Sequence, residues 1–182
     1  MVDKLNIKNS EIIIIENNGE RKTFLDDFGC KVFYTYNNFI QVRNKGYKEL
    51  RDIRDCIDKF KIQDDDFIVK ITGRYILEEE SEFMNVIAKI HETPYDCVIK
   101  YGNFGTPLSI KVHDCITGLI GMRCSYVKKI VYPNDFEHVE VKWADATYMI
   151  EDAKIHIVDK LGISICPVVD INGMLNEKYF VV

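Results

Sequence analysis

The sequence predicts an α/β fold with a mostly parallel sheet and helices on both faces of that sheet. Apolar runs of strand length alternate with helical segments along the chain, which is the order typical of this class. The runs IIII in Glu11–Glu16 and FIV in Asp66–Thr72 are continuously apolar, as strands covered on both faces are. The chain has 182 residues, of which 47% are hydrophobic and 29% charged. These values predict one globular domain over residues 1–182.

The first half of the chain contains three predicted strands and one predicted helix. The strands are Glu11–Glu16, Lys31–Thr35 and Asp66–Thr72, and the helix is Tyr47–Phe60. Apolar residues of the helix fall on one face and charged residues on the other, which is the pattern of an amphipathic helix. An Asn-Asn pair or a glycine follows each strand, and these residues favour turns.

The second half continues the alternation with shorter elements. Ser81 is the expected N-cap of a helix, and a second short helix begins at Ser125. Strands are predicted at Cys97–Lys100, Gly118–Arg123 and Ile163–Val169, and a helix from about Asp145 to Lys160. No repeat or change of composition divides the chain.

Charge and cysteine content narrow the class of protein. A net charge of −5 at pH 7 is unfavourable for contact with nucleic-acid phosphates, so we expect no nucleic-acid partner. The sequence shows no signal peptide and no run of about 18 apolar residues, so we expect no integral membrane segment. The six cysteines form no Cys-x-x-Cys pair, and several lie in apolar runs, as reduced thiols do. We therefore expect a cytoplasmic protein.

Polar residues at the carboxyl ends of strands are the first candidates for a binding site, because ligands of open α/β sheets bind there. Glu16 ends the first predicted strand, and Asn17 and Asn18 follow it. A carboxylate in that place suits ribose hydroxyls or the edge of a base. The same residues also suit a plain turn, and that alternative stays open.

Two basic segments indicate a site for an anion. Asn44-Lys45-Gly46 precedes the amphipathic helix, where free backbone N–H groups attract an anion, although Asn44 equally suits the role of N-cap. In Lys70-Ile71-Thr72-Gly73-Arg74-Tyr75, Lys70, Thr72 and Arg74 stand at the end of a strand. A lysine, a hydroxyl and an arginine suit a diphosphate. A structural ion pair with Glu78–Glu80 is the alternative.

The succession IIIIENNG, VFYTYNN, NKGYKEL and DDDFIVKITGRY resembles the nucleotide-binding half of GT-A-type glycosyltransferases. It is similar to small glycosyltransferase-like proteins, including ones from large DNA viruses. The likeness covers about residues 11–167, and KITGRY is its most specific part. The resemblance implies a three-layer, Rossmann-like GT-A sheet, with a nucleotide-binding half at about 11–75 and a sugar and acceptor half at about 96–167.

The resemblance also implies a function and the residues that perform it. The implied reaction moves a sugar from a nucleoside diphosphate sugar to the hydroxyl of a glycan, protein or small molecule, in the host cytoplasm if the protein is viral. Gly118 and Gly121 would let the backbone approach the sugar, and Trp143 would stack on it or lie in the core. Lys70 and Arg74 would meet the charge of the departing diphosphate. The candidates for the catalytic base are, in order, Glu140, Glu137 and Asp114.

Two departures from the family keep alternatives open. Asp64–Asp66 matches the metal-binding DxD motif but leads into the strand Asp66–Thr72 rather than following it, so we expect a solvated loop there. We therefore expect that the reaction requires no cofactor, and dependence on Mn²⁺ or Mg²⁺ stays an alternative. The segment before Glu11 resembles the end of a helix, so we expect the opening strand of the family to be absent. That departure favours a non-catalytic nucleotide-sugar or glycan-binding domain as the second interpretation. A nucleotidyltransferase and a scaffold protein without a ligand are further alternatives.

Overall fold

The described part of the chain forms four helices and ten short strands. The computed structural model describes residues 10–78 and 81–165. The helices are α1 Lys45–Phe60, α2 Glu82–Ile87, α3 Cys124–Val127 and α4 Val139–Ala146. The strands are β1 Ile13–Glu16, β2 Lys31–Tyr34, β3 Phe67–Ile71, β4 Tyr75–Leu77, β5 Cys97–Ile99, β6 Tyr101–Asn103, β7 Thr106–Leu108, β8 Leu119–Arg123, β9 Ile155–Ile157 and β10 Ile163–Ile165.

The largest sheet has four strands in the order β3-β8-β5-β9. β8 runs antiparallel to both of its neighbours, so that Gly121 is opposite Val69 on one side and Val98 on the other. β9 runs parallel to β5. Smaller sheets pair β1 with β2 in parallel, β4 with β10 antiparallel and β6 with β7 antiparallel. Most pairings among the described strands are antiparallel, so the prediction of a mostly parallel, three-layer Rossmann-like sheet is wrong.

The two apolar runs that favoured a parallel sheet are not covered on both faces in this fold. β3 is an edge strand, and its Val69 and Ile71 are 38% and 47% exposed. The residues of β1 are all half-buried rather than buried. β-Branched residues favour a strand in either direction, and the connection decides the direction. Between β3 and β8 the chain forms β4, α2, β5 and the β6–β7 hairpin, not the single crossover helix that joins parallel neighbours.

Helix α1 confirms the predicted amphipathic helix and begins two residues earlier. The side-chain oxygen of Asn44 accepts a hydrogen bond from the backbone N–H of Tyr47 at 3.1 Å, which satisfies one of the free donors of the first turn. Lys61 ends the helix in a left-handed conformation, with φ of 53°. Leu50 and Ile57 bury the apolar face. Among residues 10–78 and 81–165, no helix is both long and apolar enough to cross a membrane.

Two groups of buried side chains form the core on either side of β5. One group, around Leu50 and Trp143, joins α1 and α4 to the central sheet. The other surrounds Phe83 of α2 and includes Val98 of β5. The predicted N-cap of α2 is confirmed, because the Ser81 hydroxyl accepts a hydrogen bond from the N–H of Met84 at 3.2 Å. Each fully buried large side chain contributes about 1.5–3 kcal/mol to the free energy of unfolding.

The chain after Asp145 differs from the predicted helix. α4 ends at Ala146, two short 3-10 turns follow, and the chain then enters β9. The alternating Ile155 and Ile157 suit a strand, and β9 pairs with β5. The predicted strand Ile163–Val169 begins as β10, and its end lies outside the described residues. Residues 1–9, on which the prediction of a missing opening strand rests, lie outside the described residues as well.

Candidate functional site

A cavity of about 400 Å³ opens where the chain after β3, the tip of the β6–β7 hairpin, the chain before β8 and the first turn of α4 meet. We call it the Tyr75 pocket. Its lining residues are Glu49, Thr72, Arg74, Tyr75, Asn103, Phe104, Asp114, Cys115, Ile116, Thr117, Gly118, His138, Glu140 and Val141. The pocket brings together these site residues expected from the sequence: Thr72, Arg74, Asp114, Gly118 and Glu140.

One wall of the Tyr75 pocket is aromatic. The rings of Tyr75 and Phe104 stack with their centroids 5.6 Å apart and 12° between their planes. The guanidinium of Arg74 lies 5.9 Å from the centroid of the Tyr75 ring, within reach of a cation–π attraction. Burial raises the pKa of the Tyr75 phenol, against the lowering effect of Arg74. The phenol is therefore kept neutral and able to donate a hydrogen bond.

Three carboxylates line the pocket, from Glu49 of α1, Asp114 before β8 and Glu140 of α4. The Thr117 hydroxyl donates to Oε1 of Glu140 at 3.4 Å, and a negative charge in the first turn of a helix is favoured by the helix dipole. The carbonyl of Asp114 accepts a hydrogen bond from the N–H of Gly102 at 3.0 Å, which fixes its backbone. Neither Asp114 nor Glu140 forms an ion pair with another residue of the described ranges. Both residues line the cavity, and no ion pair within the described part of the chain compensates either charge.

Lys70 lies behind the pocket rather than in it. Its side chain is 9% exposed and its ammonium forms an ion pair with Glu49. The same ammonium donates to the carbonyl oxygen of Thr117. A buried ammonium requires partners of this kind. The structural alternative named Glu78–Glu80 as the acids, whereas the ion pair that the structure shows is with Glu49. Of the two cations expected to meet a diphosphate, Arg74 lines the pocket and Lys70 does not.

The loop before α4 holds Asn44 and Glu137 in structural contacts outside the pocket. The side-chain amide of Asn44 donates to the carbonyl oxygens of Asn134 and Glu137. The Glu137 carboxylate accepts from the N–H of Asn134 at 2.9 Å and pairs with Lys142 at 2.6 Å. The N–H of Asn134 and the Lys142 ammonium lower the pKa of Glu137. Asn44 joins the start of α1 to this loop, and the Glu137 carboxylate joins the loop to α4. Glu140 is therefore the glutamate of the segment that lines the cavity.

The start of α1 packs tightly on α4 at Gly46. A Cβ atom at Gly46 would lie 2.4 Å from Cβ of Val139, so glycine serves the close approach of two helices here. Lys45 is exposed and lies one turn before Glu49, on the same face of α1. None of the three residues of the segment Asn44-Lys45-Gly46 lines the Tyr75 pocket.

The ends of β1 and β2 lie side by side, and their polar groups bind α1. The Asp52 carboxylate of α1 is 5% exposed. It accepts hydrogen bonds from the side chains of Asn17 at 2.9 Å, Thr35 at 2.5 Å and Asn37 at 2.8 Å. This network, which we call the Asp52 cluster, fixes the two strands to the helix.

Glu16 and Asn18 form hydrogen bonds with each other at the same end of β1. The Glu16 carboxylate accepts from the backbone N–H of Asn18 at 2.9 Å and from its side-chain amide at 2.6 Å. Arg21 lies 3.4 Å from the same carboxylate oxygen. These contacts are those of the strand-ending turn that was the structural alternative for Glu16, Asn17 and Asn18. None of these three residues lines the Tyr75 pocket.

The three residues that the resemblance assigned to a sugar pocket lie in different surroundings. Gly118 lines the Tyr75 pocket, and a Cβ atom there would lie 2.9 Å from the Tyr75 ring. Gly121 lies further along β8, where a Cβ atom would lie 2.6 Å from the ring of Phe67. Trp143 is 1% exposed in the core, which is the core alternative considered for it. Gly118 is thus the residue of the three that a ligand in the pocket would meet.

The literal DxD segment lies in the turn before β3, at the opposite end of that strand from the Tyr75 pocket. Asp64 pairs with Lys128 at 2.7 Å, and Asp66 accepts the N–H of Gln63 at 2.8 Å. These contacts are those of a solvated loop. No group of three His, Cys, Asp or Glu residues within the described ranges is arranged to hold a metal ion.

Glu49, Asn103 and Phe104 line the pocket without having been identified from the sequence. A signal existed for each of them. Lys70 in a strand required a carboxylate partner, and Glu49 supplies it. The Asn103-Phe104-Gly105 segment is typical of a tight hairpin turn, and a phenylalanine at such a tip has no core to join unless it contacts another element.

No protein-family model and no curated protein matches the sequence. Among solved structures, the chain is similar to the crystal structure of A197 from STIV, with 13% sequence identity and a TM-score of 0.46. The similarity covers 90% of this chain and 90% of that chain. A likeness this distant carries no argument about activity.

Proposed function

We propose that the protein transfers a sugar from a nucleoside diphosphate sugar to an acceptor hydroxyl, and that the Tyr75 pocket holds the sugar and the acceptor. The observation that carries the proposal is the meeting of an aromatic wall, carboxylates and a guanidinium in one cavity of about 400 Å³. A cavity with an aromatic lining and a few convergent polar groups suits a small polar ligand. A sugar has apolar C–H faces for the wall and hydroxyls for the carboxylates.

Glu140 is the general base of the proposed reaction. Its carboxylate takes the proton of the acceptor hydroxyl, and the acceptor oxygen forms a bond to the anomeric carbon. The bond between that carbon and the diphosphate oxygen breaks, and its electron pair leaves with the diphosphate. The transition state has oxocarbenium character, and attack opposite the leaving group inverts the anomeric centre. The Thr117 hydroxyl, 3.4 Å from the carboxylate, orients Glu140.

Arg74 and Lys45 meet the charge of the departing diphosphate in this proposal. Arg74 lines the pocket and presents a planar fork that binds two phosphate oxygens at once. Lys45 adds a point charge from the first turn of α1. Lys70 acts indirectly, because it joins Glu49 to the Thr117 carbonyl and so holds two walls of the pocket together. The proposal requires no metal ion; dependence on Mn²⁺ or Mg²⁺ is a matter for the assay.

A non-catalytic glycan-binding domain is the second candidate. One observation favours it, namely that three carboxylates and a single arginine line the cavity, which is a poor match for a diphosphate. Such a domain would bind sugars through the same aromatic wall. It would neither bind a nucleoside diphosphate nor release one from a sugar donor.

The assay that separates the two candidates measures release of nucleoside diphosphate from a panel of UDP-sugars and GDP-sugars, with simple glycosides as acceptors and with or without Mn²⁺. We expect release by the unmodified protein and a loss of about 100-fold or more in Glu140→Gln. Calorimetry should show UDP or GDP binding about tenfold weaker in Arg74→Ala. Lys129→Ala, which removes an exposed charge after α3, is the matched control and should behave as the unmodified protein.

The outcomes are distinct. Glycoside binding without binding of UDP, GDP or their sugars would favour the glycan-binding domain. Nucleotide binding that persists in Arg74→Ala would remove Arg74 from the proposal. Absence of both kinds of binding would refute both candidates.

A further inference from the structure

The Tyr75 pocket carries an imbalance of charge that constrains its ligand. Three acidic residues line it, Glu49, Asp114 and Glu140, against the guanidinium of Arg74 and the imidazole of His138. Glu49 is compensated by Lys70. Asp114 and Glu140 have no cationic partner within residues 10–78 and 81–165. A ligand in the cavity therefore meets two negative charges in a partly enclosed space, where screening by water is reduced.

We infer that the pocket selects sugar rings that are uncharged or carry an amine, that it rejects rings that carry a carboxylate, and that Asp114 determines this specificity. The inference rests on the proposed function, since it takes the ligand to be a sugar. The Tyr75 and Phe104 rings hold a C–H face of the ring equally well in all three classes of sugar. The discrimination comes from the carboxylates, which accept hydrogen bonds from hydroxyl or ammonium groups and repel another carboxylate.

Asp114 is the carboxylate whose charge is available for this role. Glu49 is neutralised by the buried Lys70, and Glu140 already accepts from the Thr117 hydroxyl and is the proposed base. The Asp114 side chain has no partner in the described ranges. Its backbone is fixed by the hydrogen bond from Gly102 at 3.0 Å, at the base of the hairpin that carries Phe104. Asp114 thus lines the same pocket as Tyr75 and Phe104, on a backbone that is held in place.

Binding of matched monosaccharides tests the inference without any need for catalysis. The ligands are methyl glycosides in gluco, galacto and manno configuration, each as the neutral hexoside, the amino sugar and the uronide. Affinities are measured by ligand-observed NMR at pH 7, where the uronides are negative and the amino sugars largely positive. We expect the best neutral or amino glycoside to bind about tenfold or more tightly than its uronide. Asp114→Asn, which keeps shape and removes charge, should reduce this ratio to about threefold or less.

Asp58→Asn on the exposed face of α1 is the control, because it makes the same change of net charge away from the pocket and should keep the full ratio. Circular dichroism spectra and melting temperatures confirm that each variant is folded. Equal affinity for uronides, or an unchanged ratio in Asp114→Asn, would overturn the inference while leaving glycosyl transfer intact. Failure of every glycoside to bind would overturn the inference and the proposed role of the pocket together. Selective sugar binding without any release from nucleotide sugars would sustain the inference and refute the transferase.

Discussion

The Asp52 cluster offers a quantitative test of what fastens β1 and β2 to α1. Asp52→Ala removes a 5% exposed carboxylate, which is the acceptor for the side chains of Asn17, Thr35 and Asn37. The Asn37 amide keeps a second acceptor, because it also donates to the Asp55 carboxylate at 2.7 Å. A hydrogen bond to a charged group contributes about 1.5–3 kcal/mol, but the three share one acceptor and the donors regain some water. We therefore expect the free energy of unfolding to fall by about 3–5 kcal/mol, a large part of the stability of an ordinary domain.

The assay is urea unfolding followed by circular dichroism and by the fluorescence of Trp143. The midpoint should fall while the slope with urea concentration stays constant. Asp58→Ala is the matched control, since it makes the same substitution on the exposed face of α1 and should change stability by about 0.5 kcal/mol or less. Asp52→Asn should fall between the two, because its amide keeps one acceptor but faces the amide of Asn17 with a second donor. A loss in Asp52→Ala within about 1 kcal/mol of the control would refute the reasoning.

Three further predictions concern packing, pH and thiol reactivity. Gly46→Ala should cost about 1–3 kcal/mol by overpacking the contact with α4, whereas Gly73→Ala, which meets open space, should leave the urea midpoint nearly unchanged. The pKa of Glu137 is lowered from 4.5, so the stabilisation by its carboxylate is complete above pH 4.5 and is lost as the pH falls through the lowered pKa. Glu137→Gln should therefore be less stable than the unmodified protein at pH 7 and equally stable in strong acid. A difference in unfolding free energy that stays constant with pH would contradict this. Burial raises the pKa of the Cys97 thiol, so iodoacetamide should label the half-buried Cys30 before Cys97 in the native protein. Peptide mass mapping measures the two labelling rates, and equal rates would contradict the burial of Cys97.

Local chemistry allowed several elements to be predicted from the sequence. The apolar face of α1 and the Ser81 cap depend on residues within a few positions of one another, so no knowledge of the fold was needed. Strand direction was a different matter. Nothing in the run Phe67–Ile71 states that its neighbour is Leu119–Arg123 running the opposite way, because that choice is made by packing between segments far apart in the chain.

The residues of the candidate site were likewise predictable only where local sequence determines their position. Thr72 and Arg74 follow a strand end directly, so any cavity at that end includes them. Whether Glu137 or Glu140 lines the cavity depends on where α4 begins. The helix begins at Val139, so Glu137 stays in the preceding loop and forms an ion pair with Lys142. Phe104 reaches Tyr75 only because the β6–β7 hairpin folds over the end of β3, a contact that no local pattern indicates.

The strand order β3-β8-β5-β9 has a consequence for the time course of folding. Each pairing in this sheet joins segments that are distant in the chain, and no tight hairpin connects any two of its strands. Each pairing requires a long loop to close, and the chain loses conformational entropy before the contacts of the pairing stabilise it. We therefore expect slow folding, on the scale of milliseconds to seconds. During synthesis on the ribosome, the unit of β1, β2 and α1 is available early, whereas β5 gains its second neighbour only after Ile157 has emerged. The pocket combines Glu49 of α1 with residues as far along the chain as Val141 of α4, so it is complete only after α4 has emerged and packed.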